Sequence, residues 1–70
     1  YDGVTMPVIH INIRDGLTID QKRDVARDIT DVINKNLGID KERTEIFFHD
    51  IPDQNFAKAG ILLIDQNNDE

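Results

Sequence analysis

The sequence has no cysteine, no tryptophan, one methionine and two prolines among its 70 residues. Without cysteine, neither a disulfide nor a thiolate metal site can form. The two histidines, His10 and His49, are too few for a closed structural metal site. Domains below about 70–80 residues rarely fold on a single core without a disulfide, a metal or self-association. Self-association is therefore the supplement we expect.

Positive charge is also scarce, because eight Lys and Arg oppose fourteen Asp and Glu for a net charge of −6. The basic residues are scattered among aspartates, whereas nucleic-acid binding needs them clustered. The longest apolar run, at 61–64, is far too short to span a bilayer. The amino terminus lacks the charged and apolar regions of a signal peptide. We therefore expect a cytoplasmic protein with neither nucleic acid nor a membrane as a partner.

Two segments in the first half have clear periodicity. Residues 8–14 form a segment that alternates strictly between apolar and polar side chains from Ile9 onward, which is typical of a half-buried strand. Further on, Thr18 and Gln21 form a capping-box pattern, and apolar residues then recur at helical spacing. Gly38 follows where a helix end favours a left-handed residue. This pattern predicts a helix over about 19–36.

The second half begins with a β-branched and aromatic segment from Thr44 to Ile51, which predicts a second strand. A crossover of helix length between two strands requires parallel pairing by a right-handed connection. We expect a loop over 55–60, a short strand or extended arm over 61–64 and a polar tail over 65–70. The predicted fold class is α+β, a single βαβ unit with a parallel two-stranded sheet and a short carboxy-terminal strand or arm.

One face of such a sheet has no helix to cover it. The side chains expected there are those of His10, Asn12, Glu45, Phe47 and His49. Because a face with Phe47 on it is poorly suited to water, we expect another copy of the chain to cover it, so that oligomerisation completes the fold. A histidine pair without a fixed carboxylate is a weak metal signal. We therefore expect no metal and no cofactor, and expect the histidines to form hydrogen bonds at a subunit interface.

At this point the chain resembles the 4-oxalocrotonate tautomerase family, over most of its length from Pro7 to about Gly60. The matching features are Pro7 directly after Met6, the strand Val8 to Ile13, the turn Asp15-Gly16, the capped helix with Asp20-Gln21-Lys22, Leu37, the apolar second strand, and Asn55-Phe56 before Gly60. No single feature is a specific motif; their order and spacing carry the resemblance. It implies small βαβ subunits assembled as hexamers or as trimers of fused pairs, and a hexamer is the expectation here.

The resemblance also implies an enzyme whose amino-terminal proline is the general base, here Pro7. Terminal α-amino groups ordinarily titrate near about 8, and the more basic proline nitrogen is lowered by desolvation and nearby cations. Such a base can take a proton from carbon beside a carbonyl and return it to a conjugated carbon. The expected activity is a tautomerase-type isomerisation of a small 2-keto or enol acid.

This role requires a free Pro7 nitrogen, whereas residues 1–6 precede it in the sequence. An acylated proline nitrogen has no basic lone pair, so we expect no proline-dependent activity while residues 1–6 are attached. We interpret residues 1–6 as an added leader plus an initiator methionine, and 7–64 as the tautomerase-like domain. A simple strand-opening proline is the alternative interpretation of Pro7.

Two positions depart from the pattern of the family's best-known members, since Leu17 and Glu45 stand where arginines are expected. The resemblance implies that Phe56 retains the aromatic residue that lines the family's substrate pocket. Arg14 is the replacement candidate for binding the substrate carboxylate, because related 3-chloroacrylic acid dehalogenases have an arginine at the matching place. Arg43, two residues before Glu45 and so expected on the same strand face, is a further candidate. A solvated surface cation is the simpler interpretation of Arg43.

Glu45 has two interpretations and leaves an alternative function open. It is either a polar residue paired at a subunit boundary or a group that orients water or substrate near Pro7. The second would suit a dehalogenase, hydratase or decarboxylase on the same fold, which needs a carboxylate to activate water. A catalytically silent assembly module that kept the fold and lost the cations is a third possibility.

Overall fold

The structure, a computed structural model, describes residues 5–14 and 16–66. Its elements are β1 (Val8–Arg14), α1 (Ile19–Leu37), β2 (Glu45–Ile51), β3 (Ala57–Lys58), β4 (Ile61–Leu62) and α2 (Leu63–Gln66), with 3-10 turns at Lys41–Arg43 and Asp53–Asn55. β1 and β2 pair in parallel, and β3 and β4 pair antiparallel. The α+β class, the parallel βαβ unit and the short carboxy-terminal strand element are thus confirmed. The expectations for residues 1–4, Asp15 and 67–70 lie outside the described residues.

The predicted helix is confirmed with its end signals. The Gln21 N–H donates to Thr18 Oγ1 at 3.0 Å, and the Thr18 N–H donates to Gln21 Oε1 at 2.9 Å, which completes the capping box. At the other end Gly38 has φ 68°, and its N–H donates to the Asn34 carbonyl. These two caps satisfy backbone groups that a helix end otherwise leaves to water.

The outer face of α1 is a solvated set of ion pairs. Arg27 lies 3.2 Å from the carboxylates of both Asp24 and Asp28, and Arg23 lies 2.7 Å from Asp20. The hydrogen bond and charge of Asp28, followed by the charge of Asp24, raise the pKa of the Arg27 guanidinium above its ordinary value.

Within residues 5–14 and 16–66, no helix combines the length and apolar character that crossing a membrane requires.

The register of β1 and β2 divides the sheet into two faces. Val8 lies beside Glu45, His10 beside Phe47, Asn12 beside His49, and Arg14 beside Ile51. All of these except Ile51 are exposed, whereas the intervening Ile9, Ile11, Ile13, Ile46 and Phe48 are half-buried. Asp50 is on the helix-covered face, where its carboxylate accepts a hydrogen bond from the Lys22 ammonium at 2.7 Å. The expected uncovered face is therefore present, and Phe47 on it is 47% exposed.

The carboxy-terminal segment differs from the prediction in two places. The expected loop over 55–60 contains β3, which turns through Ala59 and Gly60 into β4. Both turn residues have positive φ, 56° and 80°, the pattern of a two-residue hairpin turn that matches strand twist. The expected strand or arm over 61–64 stops at Leu62, because Leu63–Gln66 is helical. The Gln66 side-chain amide donates to the Ile61 carbonyl at 3.0 Å, which holds this turn against the hairpin.

The described chain buries little of its apolar surface. Ile39, 6% exposed, is the one hydrophobic residue of residues 5–14 and 16–66 that counts as buried. The Cα radius of gyration is 16.8 Å, against about 11 Å for a compact domain of this length. The extents of 54 × 25 × 15 Å describe an elongated chain. Such a shape leaves large apolar side chains in water, including those of Val8, Phe47, Ile61 and Ile64.

Candidate active site

Pro7 and Glu45 lie together where β1 begins, and we name this pair the proline end. The Glu45 N–H donates to the Pro7 carbonyl oxygen at 3.0 Å, so the strand pairing extends back to Pro7. Pro7 is half-buried and Glu45 is exposed. The glutamate side chain is on the uncovered sheet face beside Val8, the residue that follows Pro7. Glu45, with its carboxylate, is thus paired with the residue next to the candidate base Pro7.

Arg14 and Phe56 lie together where β1 ends, and we name this pair the arginine end. The guanidinium carbon of Arg14 lies 4.9 Å from the centre of the Phe56 ring. This is within the range of a cation–π contact, which holds the planar guanidinium over the aromatic face. Phe56 follows the 3-10 turn Asp53–Asn55 and is half-buried. A fixed guanidinium beside an apolar wall suits a carboxylate attached to an unsaturated carbon chain.

The two ends do not meet within one chain. Pro7 and Arg14 are separated by seven residues of extended backbone, which at about 3.3 Å per residue is about 23 Å. A small molecule in contact with Arg14 is therefore out of reach of Pro7 of the same chain. The structure brings the sequence candidates together in two pairs rather than in one site.

The remaining candidates lie apart from both pairs or differ from expectation. Arg43 is in the 3-10 turn before β2, so the expectation that it shares a strand face with Glu45 is wrong. The reason is that β2 begins only at Glu45, and side-chain alternation does not extend into a 3-10 turn. Leu17, at a position where the resemblance implies an arginine, is half-buried.

Enclosed sites are absent from the described part of the chain. Over residues 5–14 and 16–66 no pocket is formed, and no group of three or more His, Asp or Glu in that part of the chain is arranged to hold a metal ion. A small-molecule site ordinarily buries most of its ligand in a concave cleft. Residues 5–14 and 16–66 by themselves form no such cleft.

Known proteins resemble this chain in both sequence and fold. The family model described as tautomerase enzyme matches residues 7–65. The chain belongs to the tautomerase family. A probable tautomerase of Lactococcus lactis is 31% identical over 55 residues, which cover 79% of this chain and 90% of that relative. Membership in the tautomerase family supports an isomerase-type enzyme.

Solved structures share the tautomerase fold. A 4-oxalocrotonate tautomerase isozyme from Methylibium petroleiphilum matches with a TM-score of 0.73 at 24% identity, over 87% of this chain and 95% of that chain. A 4-oxalocrotonate tautomerase from Chloroflexus aurantiacus, which is a heterohexamer, matches with a TM-score of 0.70 at 17% identity. That match covers 84% of this chain and 95% of the other. At these identities the likeness concerns the fold alone.

Proposed function

We propose that this tautomerase catalyses keto–enol or double-bond proton transfer on a small 2-keto or enol acid, with Pro7 as an amino-terminal general base. The family model begins to match at Pro7, which supports a mature domain over 7–64 that starts with this residue. Residues 1–6 are then a leader that has to be removed before the nitrogen can accept a proton.

The distance between the proline end and the arginine end is the observation that carries the proposal of a shared site. One chain holds the base and another holds Arg14 and Phe56, because about 23 Å of strand keeps them apart within a chain. An elongated subunit with exposed apolar residues supports self-association. The heterohexameric relative supports an assembly of six subunits. The proposed partners are therefore further copies of this chain.

The proposed reaction divides the work between the two ends. The Arg14 guanidinium binds the substrate carboxylate, and the Phe56 ring excludes water from the carbon chain. The Pro7 amine removes a proton, either from the hydroxyl of an enol acid or from a carbon beside the carbonyl of a keto acid, and the electron pair left behind is held as an enolate or dienolate. The Pro7 ammonium then returns the proton to a carbon of the conjugated system other than the one, if any, that lost it. No atom is gained or lost, so the product is an isomer of the substrate.

A processed chain tests the role of Pro7. Three chains are assayed for ketonisation of phenylenolpyruvate and 2-hydroxymuconate: one that begins at Pro7, one that retains residues 1–6, and one with Pro7→Ala at its first position. We expect the highest activity in the first chain and no proline-dependent activity in the second, because the lone pair of an acylated nitrogen is delocalised and not basic. The third should be less active than the first, because a primary amine replaces the more basic and conformationally fixed proline nitrogen. Equal activity in the first and third chains would exclude Pro7 as the base.

Glu45 favours a second candidate, a hydratase or dehalogenase that adds water to an unsaturated acid. Its carboxylate is one residue pair from Pro7, close to where a water would have to be activated. Chloride release from 3-haloacrylates measures this activity directly. If this second function is correct, chloride release should be lost in Glu45→Gln. It should be kept in the control Asp28→Asn, which removes a carboxylate from the outer helix face instead. Release that persists in Glu45→Gln would contradict it.

A further inference from the structure

The two histidines of the chain form a pair on the uncovered sheet face. His10 Nδ1 and His49 Nε2 are 2.8 Å apart, which is hydrogen-bond distance. The two ring centres are 5.1 Å apart with 15° between the ring planes. The His10 ring also lies nearly parallel to the Phe47 ring, at 5.2 Å between centres. Both imidazoles are exposed in the single chain.

A hydrogen bond between two imidazoles depends on their protonation. One nitrogen has to donate and the other has to accept, so the accepting ring is neutral. When both rings are protonated, all four nitrogens carry hydrogen and the bond between His10 and His49 is lost. Two positive charges then face each other at the same place.

Few charges on this face can offset a doubly protonated pair. On β2 the anion of the face is Glu45, which Phe47 separates from His49 along the strand. On β1 the charged residue is Arg14, whose sign adds to the repulsion. Asp50 is on the opposite face, where Lys22 holds its carboxylate. α1 and its aspartates also lie beyond that opposite face, so they do not face the pair.

We propose that the His10–His49 pair makes self-assembly through this face dependent on protonation. Copies associate while one ring is neutral and the pair keeps its hydrogen bond. They separate when both rings are charged, because covering the face would then remove two unpaired charges from water. The inference rests on the self-association proposed above and is independent of the chemistry of Pro7.

Sedimentation equilibrium at pH 7.5 and pH 5.5, at constant ionic strength, tests this control. Most carboxylates stay ionised across this window, whereas histidine is the side-chain type whose charge ordinarily changes there. For a contact in which each of two copies gains one proton, we expect the association constant to fall by up to about 100-fold per pH unit. His49→Gln and His10→Gln each leave one titratable ring beside an amide that can accept its hydrogen bond. Both variants should associate nearly equally at the two pH values.

The matched control is Asp28→Asn, which alters a charge on the outer helix face and should keep the pH response of the unmodified chain. An unmodified chain with equal association at both pH values overturns the inference. Glutamine variants that dissociate as strongly as the unmodified chain also overturn it. A chain that is monomeric at both values overturns this inference together with the shared site. If the association constant is the same at both pH values and activity requires a free Pro7 nitrogen, this inference is overturned while the proposed function stands.

If the glutamine variants do not fold, proton NMR titration of the unmodified chain replaces them. The imidazole Hε1 signals of both rings should shift in the pH range where the assembly dissociates. Dissociation at a pH where both signals remain unchanged overturns the inference.

Discussion

The Arg14 guanidinium stacks on the Phe56 ring at 4.9 Å, joining the end of β1 to the segment that precedes β3. The two residues are far apart in the sequence, yet the fold places the guanidinium over the face of the ring. A planar cation in a fixed orientation can form two parallel hydrogen bonds to a carboxylate. This contact thus connects Arg14, the proposed carboxylate anchor, to the segment that leads into the carboxy-terminal hairpin.

Replacing Arg14 tests its role as the carboxylate anchor. With Pro7 at the amino terminus, Arg14→Gln should lower kcat/KM by about 10- to 100-fold, because a charge-assisted hydrogen bond to substrate is lost. Arg14→Lys should lower it less, since the charge remains but the planar stack on Phe56 does not. Steady-state kinetics on phenylenolpyruvate measures both. Arg27→Gln on the outer helix face is the control and should leave kcat/KM unchanged.

Mixing two impaired variants tests whether sites are shared between copies. Pro7→Ala and Arg14→Gln chains are combined in equal amounts, dissociated and reassembled. If each site takes its base from one copy and its arginine from another, about a quarter of the sites regain both groups. Activity should therefore rise above that of either variant alone. A mixture that is no more active than its components would mean that both groups come from the same chain.

Ala59 offers a test of the hairpin turn. Its φ of 56° is a left-handed conformation, which costs a residue with a Cβ about 1–2 kcal/mol. Ala59→Gly should raise the free energy of unfolding by about 0.5 kcal/mol, since the greater freedom of glycine in the unfolded chain offsets part of the gain. Thermal unfolding at fixed protein concentration measures the change. Ala57→Gly, in the extended β3, should instead lower stability.

Thr44 has a buried hydroxyl without a hydrogen-bond partner in the described part of the chain. A buried hydroxyl left unpaired costs about 1–3 kcal/mol, and valine has nearly the same shape. Thr44→Val should therefore raise the free energy of unfolding by about 1 kcal/mol. Thr18→Val is the matched control and should lower it by about 1 kcal/mol, because it removes the helix cap. A loss of stability in Thr44→Val would mean that the hydroxyl finds a partner in the assembly.

The fold was predictable where local signals agreed with one another. The capping box at Thr18 and the left-handed Gly38 marked both ends of α1. The strict alternation of apolar and polar residues in β1 was sufficient to predict the uncovered face. The hairpin was missed because its turn places an alanine at positive φ, where the expected signals are asparagine, aspartate or glycine. The four apolar residues at 61–64 fit a strand as well as a helical turn.

The candidate site was less predictable, because it depends on contacts between distant segments. Nothing in the sequence pairs Arg14 with Phe56, since neither residue belongs to a recognisable motif with the other. The expectation for Arg43 failed on an element boundary, which periodicity locates poorly. The separation of Pro7 from Arg14, in contrast, follows from the length of the alternating segment and the rise per residue of a strand.

The length of β1 also has a consequence for how the cell would control this enzyme. If base and anion-binding group always come from different molecules, a lone newly made molecule has no turnover. At low abundance the output then rises more steeply than in proportion to the amount of polypeptide. A modest rise in gene expression would then increase the flux through the enzyme more than proportionally, because a larger fraction of the molecules would be assembled.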